Sequence, residues 1–148
     1  MNTGETENIC GLKREDFQTT INGKKTDLYI LKNHVGNEVA ITNYGGAIVA
    51  IMVPDKNGKH ANVIQGHDNI KDVINSPEPY LSRLIGRFGN RIAKGTFTLH
   101  GKEYHLFINN GVNSLHGGKS GYNEKVWDAL QTLGLKNLNP SLSARNLS

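Results

Sequence analysis

The sequence predicts an all-β fold of mostly antiparallel strands, and three observations carry this prediction. Apolar residues alternate with a period of two in short segments, turn-forming residues separate those segments, and only one short stretch has helical spacing. The chain has 148 residues, which is enough for one domain. Only 36% of the residues are hydrophobic, so the predicted core is thin.

The first three strands and the turn after them follow from local pattern. Alternating apolar residues predict strands over 27–31, 39–43 and 47–53. Beyond the third strand, Pro54 fixes φ for a turn. Asn57 and Gly58 can both adopt the positive φ that a tight hairpin turn requires. The sequence therefore predicts that the chain folds back on itself immediately after residue 53.

A short helix and a second hairpin come next. Ile70, Val73 and Ile74 have helical spacing, which predicts a turn or two of helix ended by the Ser-Pro-Glu-Pro that follows residue 75. The segments 96–99 and 102–106 alternate on either side of His100 and Gly101, which predicts a hairpin. His100 and His105 are interpreted as surface residues of that hairpin.

The end of the chain breaks the pattern. After residue 129 the alternation stops, and leucines recur without a partner pattern. A short amphipathic helix over 129–138 is an alternative there, although Gly134 in its middle costs about 1 kcal/mol relative to alanine. The predicted organisation is an N-terminal extension over 1–16, a β-sandwich portion over 17–129, and a divergent, poorly ordered tail over 130–148.

Charge and cysteine content exclude few classes of function. Seventeen Lys and Arg against thirteen Asp and Glu give a net charge of +4, which permits an anionic partner without requiring one. Cys10 is the single cysteine, so no internal disulfide is expected, and no Cys/His spacing is typical of a zinc site. With no leader-like or bilayer-length apolar run, we expect a cytoplasmic protein with no membrane partner.

The first of two glycine-rich loops raises a choice between two interpretations. In GRFGNRIAKG, which begins at Gly86, Arg87 and Arg91 stand among glycines. Together with Arg83 they recur every four residues, so a helix would align them into a basic stripe of the kind that contacts nucleic acid. Gly86 and Gly89 favour instead an irregular loop that approaches a ligand closely and presents the planar donors of an arginine. Any one of these arginines could equally be a solvated surface charge.

The second loop, NNGVNSLHGGKSGYNEKVW, contains His116 ahead of two glycines. Loops of this kind on a β scaffold commonly carry binding residues, although a lone histidine is more often a structural hydrogen-bonding residue. Ser114 lies two positions earlier, and such spacing does not define a nucleophile and its base, because those pairs are recognised by geometry.

Several motifs in one order carry a resemblance to a known family. They are NYGG (43–46), VPD (53–55), GRFGNRIAKGTF (86–97), NSLHGG (113–118) and WD (127–128). Over roughly 17–129 the chain resembles the N-terminal portion of the aldose 1-epimerase (galactose mutarotase) family. The resemblance implies an antiparallel β-sandwich, the galactose mutarotase-like supersandwich, here incomplete, with an aldose sugar lying in a cleft on one sheet.

The resemblance also implies site residues and a chemistry. It assigns Asn90 and Arg91 to sugar hydroxyls and His116 to the ring-oxygen side of the sugar. Members interconvert the α and β anomers of aldoses such as galactose or glucose, with no cofactor and no metal. The general acid and base of the family are a glutamate and a histidine that come after the position of Trp127, and this chain has neither. We therefore expect no catalytic residue in this chain, and little or no activity from a truncated sequence.

Three functions remain open from the sequence. The first is a truncated aldose 1-epimerase-like protein, and the second is a non-catalytic carbohydrate-binding fragment. The third is a small basic nucleic-acid-binding domain built on the arginine stripe, which is disfavoured by its glycines. Strands that lack neighbours would leave unpaired edges and uncovered apolar surface, so self-association is expected.

Overall fold

The structure is a computed structural model that describes residues 8–132 and the backbone of 141–145. Within these residues the chain forms short strands, one α-helix and several single 3₁₀ turns. The strands are β1 (Thr20–Ile21), β2 (Lys24–Lys25), β3 (Leu28–Lys32), β4 (Glu38–Thr42), β5 (Ile48–Pro54), β6 (His60–Asn62), β7 (Arg91–Ile92), β8 (Thr96–Leu99), β9 (Lys102–His105), β10 (Ser114–Leu115), β11 (Asp128–Thr132) and β12 (Ser141–Arg145). The helix, α1, is Ile70–Ile74.

All strand pairs in the described residues are antiparallel, as the sequence predicts. The largest sheet has the order β3-β4-β5-β6, and the other pairs are β1 with β2, β7 with β10, β8 with β9, and β11 with β12. The three strands predicted first match β3, β4 and β5 to within a residue or two. Both predicted hairpins are present, as the β5–β6 turn and the β8–β9 turn.

A bulge shapes the main sheet. The register between β4 and β5 shifts between Ala40 and Ile41, because Ala40 pairs with Ala50 while Ile41 pairs with Ile48. Val49 is thus the extra residue of β5, and both Val49 and Ala50 are buried. A bulge of this kind breaks strict alternation and lets two successive side chains face the core.

The hydrophobic core lies between the main sheet, helix α1 and the turn that precedes β1. Phe17 and Val73 are fully buried there, packed with residues of β3, β4 and β5. Helix α1 begins after Asn69, whose side chain accepts a hydrogen bond from the backbone N–H of Asp72 at 2.9 Å. This is an ordinary N-cap, and it explains why so short a helix has a defined start.

Asn43 of the NYGG motif ties three segments together. Its side-chain oxygen accepts the backbone N–H of Asp27 at 2.8 Å, and its amide donates to the carbonyls of Trp127 at 2.9 Å and Lys25 at 3.1 Å. Asn43 is buried, and its hydrogen bond to Trp127 is shielded from water. The motif residue therefore joins β2 and the end of β4 to the segment that leads into β11.

The two ends of the chain are partly described. Residues 1–7, 133–140 and 146–148 lie outside the described residues, so the predicted tail over 130–148 is described only in part. The alternative of a helix over 129–138 is wrong for 129–132, because these residues belong to β11, which pairs with β12. Cys10 and Leu12, within the predicted extension, pack against the core. None of the described helices has the length and apolar character needed to cross a bilayer.

Asp27, which immediately precedes β3, makes an ion pair with Arg14 whose strength depends on pH. Burial raises the pKa of its carboxyl, but hydrogen bonds from Arg14, the Leu28 amide and Gln18 outweigh this and hold the pKa below 3.8. Arg14 donates through two nitrogens, from Nη2 to Oδ2 at 2.5 Å and from Nε to Oδ1 at 2.7 Å. A lowered folded-state pKa stabilises the fold above the unfolded pKa, and this stabilisation is lost as the pH falls through the folded value.

We therefore expect Asp27→Asn to lower the free energy of unfolding by about 1 kcal/mol near pH 7, a value kept small because Arg14 is largely exposed. The difference in unfolding free energy between the variant and the unmodified chain should shrink as the pH falls below 3.8. Urea unfolding followed by circular dichroism at several pH values measures it, with Asp16→Asn, on the exposed preceding turn, as the control. A deficit that stays constant down to pH 2 would contradict this account.

Candidate functional site

The two glycine-rich loops meet through a short antiparallel pair. Strand β7 pairs with β10, with Arg91 opposite Leu115 and Ile92 opposite Ser114. One step beyond this register, the backbone N–H of His116 donates to the carbonyl of Asn90 at 3.0 Å. The backbone N–H of Asn90 in turn donates to Nδ1 of His116 at 2.8 Å. The structure thus brings His116 next to Asn90 and Arg91, which lie 26 and 25 residues earlier in the chain.

Backbone conformation makes this junction specific to its residue types. Asn90 and His116 both have positive φ, at 66° and 52°, a region that asparagine tolerates better than most residues. A Cβ on Gly117 would overlap the carbonyl oxygen of Gly86, and a Cβ on Gly86 would overlap the ring of Tyr122. The glycines of the two motifs therefore allow the loops to touch backbone to backbone.

Arg91 is held on one side and open on the other. Its Nε donates to the side-chain oxygen of Asn110 at 2.8 Å, and one terminal nitrogen donates to the side-chain oxygen of Asn90 at 3.2 Å. A guanidinium has five N–H groups, and these contacts use two of them. In the described part of the chain the other N–H groups have no protein acceptor, so they can donate to a bound molecule.

A cavity of about 880 Å³ opens beside this junction. Asn90 and Arg91 form part of its polar wall, and the aromatic rings of Phe88, Phe97, Phe107 and Tyr122 form much of the rest. Its other lining residues are Arg87, Ile92, Leu106, Ser114, Gly117, Gly118, Ser120 and Lys125. Apolar walls with a few placed polar groups are typical of small-molecule sites. His116 is not among the lining residues; its ring lies edge-on to Tyr80, with centroids 4.6 Å apart.

The arginines do not form a stripe, so the helical interpretation is wrong. Residues 83–91 contain no helix, and Arg83 is only 8% exposed. Arg83 donates to the carbonyls of Val73 and Asn123, and its guanidinium lies 5.5 Å from the centre of the Tyr44 ring. Burial lowers the pKa of this guanidinium. Arg87 is exposed and donates to the hydroxyl of Tyr122 at 3.1 Å.

Sequence reasoning missed several residues of this region. Asn110 orients Arg91, Tyr122 forms a cavity wall, and Tyr80 packs on His116. Asn110 and Tyr122 lie in the same glycine-rich loop as His116, so the loop's own polar and aromatic residues were the available signal. Nothing local in the sequence points to Tyr80, because it stands after two prolines and 36 residues before the histidine it contacts. His100 and His105 are exposed on their hairpin, as predicted.

Comparison with known proteins identifies the class. The family model described as aldose 1-epimerase matches residues 27–135. A galactose mutarotase of Bos taurus is 47% identical over 89 residues, covering 60% of this chain and 26% of that protein. A maltose epimerase of Levilactobacillus brevis is 31% identical over 110 residues, covering 74% of this chain and 32% of that protein.

Solved structures agree with the sequence comparison. The structure of an aldose epimerase homologue from C. elegans superimposes with a TM-score of 0.68 at 28% identity, covering 73% of this chain and 33% of that one. A galactose 1-epimerase from Lactobacillus acidophilus has the same fold, with a TM-score of 0.67 over 78% of this chain. The predicted antiparallel β-sandwich of the galactose mutarotase type is therefore confirmed for the part present here.

This chain belongs to the aldose 1-epimerase family, because the family model covers well over half of its residues. It spans about a quarter to a third of the length of the relatives described above. The family match runs to residue 135, six residues beyond the boundary expected from the motifs.

Replacing Arg83 by methionine should lower the free energy of unfolding by about 3 kcal/mol. The substitution removes charged hydrogen bonds to two buried carbonyls and a cation–π contact. Urea unfolding measures the effect, and Arg87→Met is the matched control because Arg87 is exposed, so that its removal should change stability by less than about 0.5 kcal/mol. Equal effects at the two positions would show that the buried contacts of Arg83 do not contribute specially to the stability of the fold.

Proposed function

We propose that this chain binds an aldose sugar at the junction of its two glycine-rich loops, through Asn90, Arg91 and His116. The observation that carries the proposal is the open side of Arg91, which two asparagine side chains hold on the wall of the cavity. Neighbouring sugar hydroxyls present acceptor oxygens at the spacing of a planar guanidinium. Each charge-assisted hydrogen bond contributes on the order of 1.5–3 kcal/mol.

The rest of the cavity also suits a sugar. A pyranose has an apolar face of C–H groups and an edge of hydroxyls, and the cavity pairs aromatic walls with a polar rim that includes Ser120 and Lys125. Aromatic side chains provide large apolar contact area with little flexibility. Both chemical faces of the ligand therefore find matching surface.

The activity we infer for the protein is interconversion of α and β anomers, the activity named by its family. Opening the sugar ring requires a base for the anomeric hydroxyl and an acid for the ring oxygen, each contributing roughly 10²–10⁴-fold. The resemblance places these roles on a glutamate and a histidine after the position of Trp127, and the sequence has neither residue type there. We therefore infer that this chain alone binds sugar and catalyses weakly, with no catalytic residue of its own.

A non-catalytic carbohydrate-binding role is the second candidate. It is favoured by the same observation, since the described contacts hold Asn90 and Arg91 together on one side of a cavity. The nucleic-acid alternative has lost its basis, because the arginine stripe does not form. A cytoplasmic location remains part of the proposal, supported by a free cysteine in a chain that makes no internal disulfide.

Titration with galactose while recording Trp127 fluorescence tests the binding site. Trp127 is well placed to report, because its ring lies 5.1 Å from that of Tyr122, which lines the cavity. We expect a saturable change at millimolar sugar, and a roughly 10- to 100-fold weaker affinity for Arg91→Met. The control Lys59→Met removes a positive charge from the exposed β5–β6 turn and should bind as the unmodified chain does. No response of the unmodified chain would overturn the proposal.

Polarimetry of freshly dissolved α-galactose separates the two candidates. A rate close to that of spontaneous mutarotation, together with saturable binding, supports a binding role for this chain. A clear acceleration that Arg91→Met abolishes would show that the chain is itself an epimerase and would contradict the inferred lack of catalysis. The Lys59→Met chain again serves as the control.

We also infer that the chain self-associates. Phe88 and Phe107 line the same cavity and are 56% and 54% exposed, and exposed apolar side chains that lie together favour association. In the described residues strand β6 pairs only with β5, so its other edge is open to a further strand. Apolar side chains and an open edge together favour association between copies.

Sedimentation velocity over a range of protein concentrations measures this association. We expect the mean mass to rise with concentration, and to rise less when Phe88 and Phe107 are both replaced by serine. The control Val35→Ser removes an apolar side chain that is 61% exposed in the turn between β3 and β4. A monomeric mass throughout would contradict self-association.

A further inference from the structure

The imidazole of His116 has one nitrogen occupied and one open. The backbone N–H of Asn90 donates to Nδ1 at 2.8 Å, so Nδ1 acts as an acceptor. In a neutral imidazole one nitrogen accepts and the other carries the proton. The proton of neutral His116 is therefore on Nε2. Across the described part of the chain, Nε2 has no hydrogen-bond partner.

Tyr80 sets the orientation of that ring. The two rings meet edge to face, with centroids 4.6 Å apart and planes at 61°. This contact restricts rotation of the imidazole about its bond to Cβ. Rotation by 180° would place a carbon opposite the N–H of Asn90, so the hydrogen bond would be lost.

The position of Tyr80 is itself fixed by buried groups. Its carbonyl accepts the backbone N–H of Arg83 at 3.3 Å. The carbonyl of Pro79, one residue earlier, accepts from the side-chain amide of Asn123 at 3.2 Å. Arg83 and Asn123 are both buried, and Arg83 also donates to the carbonyl of Asn123. These bonds tie the backbone at Pro79 and Tyr80 to buried residues, and so fix the residue whose ring packs on His116.

We propose that Tyr80 is a positioning residue for His116. Together with the Asn90 amide, it holds the imidazole as the Nε2–H tautomer, so that His116 meets a ligand only as a hydrogen-bond donor. The ligand group this selects is an acceptor oxygen, either the ring oxygen or a hydroxyl oxygen of a sugar. The inference rests on the proposed function for its ligand, and it adds a residue and a direction of hydrogen bonding to that site.

Holding His116 as a hydrogen-bond donor limits the chemistry that it can perform. With Nδ1 occupied and Nε2 protonated, neutral His116 has no free lone pair with which to take a proton from a sugar hydroxyl. Its contribution is orientation of the ligand and stabilisation of electron density on the oxygen that it contacts. Proton abstraction at this site must come from another group.

The tautomer can be measured without any ligand. The chain is labelled with ¹⁵N-histidine, and long-range ¹H–¹⁵N correlation spectra distinguish protonated from unprotonated ring nitrogens in alkaline buffer, where free imidazole is neutral. Loss of signals in His116→Gln assigns the ring among the six histidines. We expect Nε2 of His116 to be protonated and Nδ1 to be unprotonated. A proton on Nδ1, or signals averaged between the two forms, would overturn the inference.

Variants of Tyr80 test its part in this arrangement. Tyr80→Phe keeps the ring and should keep both the tautomer pattern and the galactose affinity. Tyr80→Leu should give averaged ring signals and bind galactose about three- to tenfold more weakly. Tyr104→Leu removes an exposed aromatic from the β8–β9 hairpin and should leave His116 unchanged. Retention of pattern and affinity by Tyr80→Leu would show that Tyr80 does not position His116.

The two proposals fail in different ways. If the unmodified chain shows the Nε2–H pattern but binds no galactose, the proposed function is overturned and the tautomer assignment stands. If it binds galactose but shows a different tautomer, this inference is overturned and the proposed function stands. The spectrum of the unmodified chain decides the tautomer even if Tyr80→Leu fails to fold.

Discussion

The arrangement of the site depends on a single buried guanidinium, that of Arg83. It donates to a carbonyl at the end of helix α1 and to the carbonyl of Asn123, and it lies over the ring of Tyr44. A buried positive charge is costly unless its donors are used. The helix, the NYGG segment and the loop after His116 must therefore keep their relative positions. The carbonyl of Gly45 accepts the backbone N–H of Leu84 at 2.8 Å, which strengthens the same connection.

Glycine residues allow the two glycine-rich loops to pack closely against each other at their junction. Gly86 and Gly117 have no room for a Cβ, since each faces backbone or an aromatic ring at contact distance. The loops can approach because these side chains are absent, and their approach brings the backbone of Asn90 within hydrogen-bond reach of His116. The site is thus made by backbone contact between loops, and its side chains take directions that the backbone imposes.

The exposed apolar wall is the other consequence of this fold. Phe88 and Phe107 keep more than half of their surface accessible beside a polar rim. A wall of this kind serves equally to hold the apolar face of a ligand or to associate with another polypeptide. The proposed sugar binding and the proposed self-association would therefore compete for the same surface.

Strand positions, the two hairpins and the short helix could be read from the sequence because each depends on neighbours within a few residues. The main strands were predicted from alternation, and the Asn57-Gly58 turn from the positive φ that it requires. The bulge at Val49 could not be predicted, since it arises from the register between β4 and β5. The continuation of strand structure to Thr132 was missed because it depends on pairing with β12, beyond the loss of local alternation.

By itself, the sequence determined the fold class, the family and the choice of Asn90, Arg91 and His116 as candidate binding residues. The reason is that the order and spacing of motifs can be recognised without coordinates. Tertiary structure alone decided that Arg83 is buried and that Arg87 and Arg91 line the cavity. Arg83, Arg87 and Arg91 are chemically identical, and their different roles come from partners up to 40 residues away. The tautomer that we propose for His116 likewise rests on tertiary structure, because a proton's position on an imidazole depends on the group opposite each nitrogen.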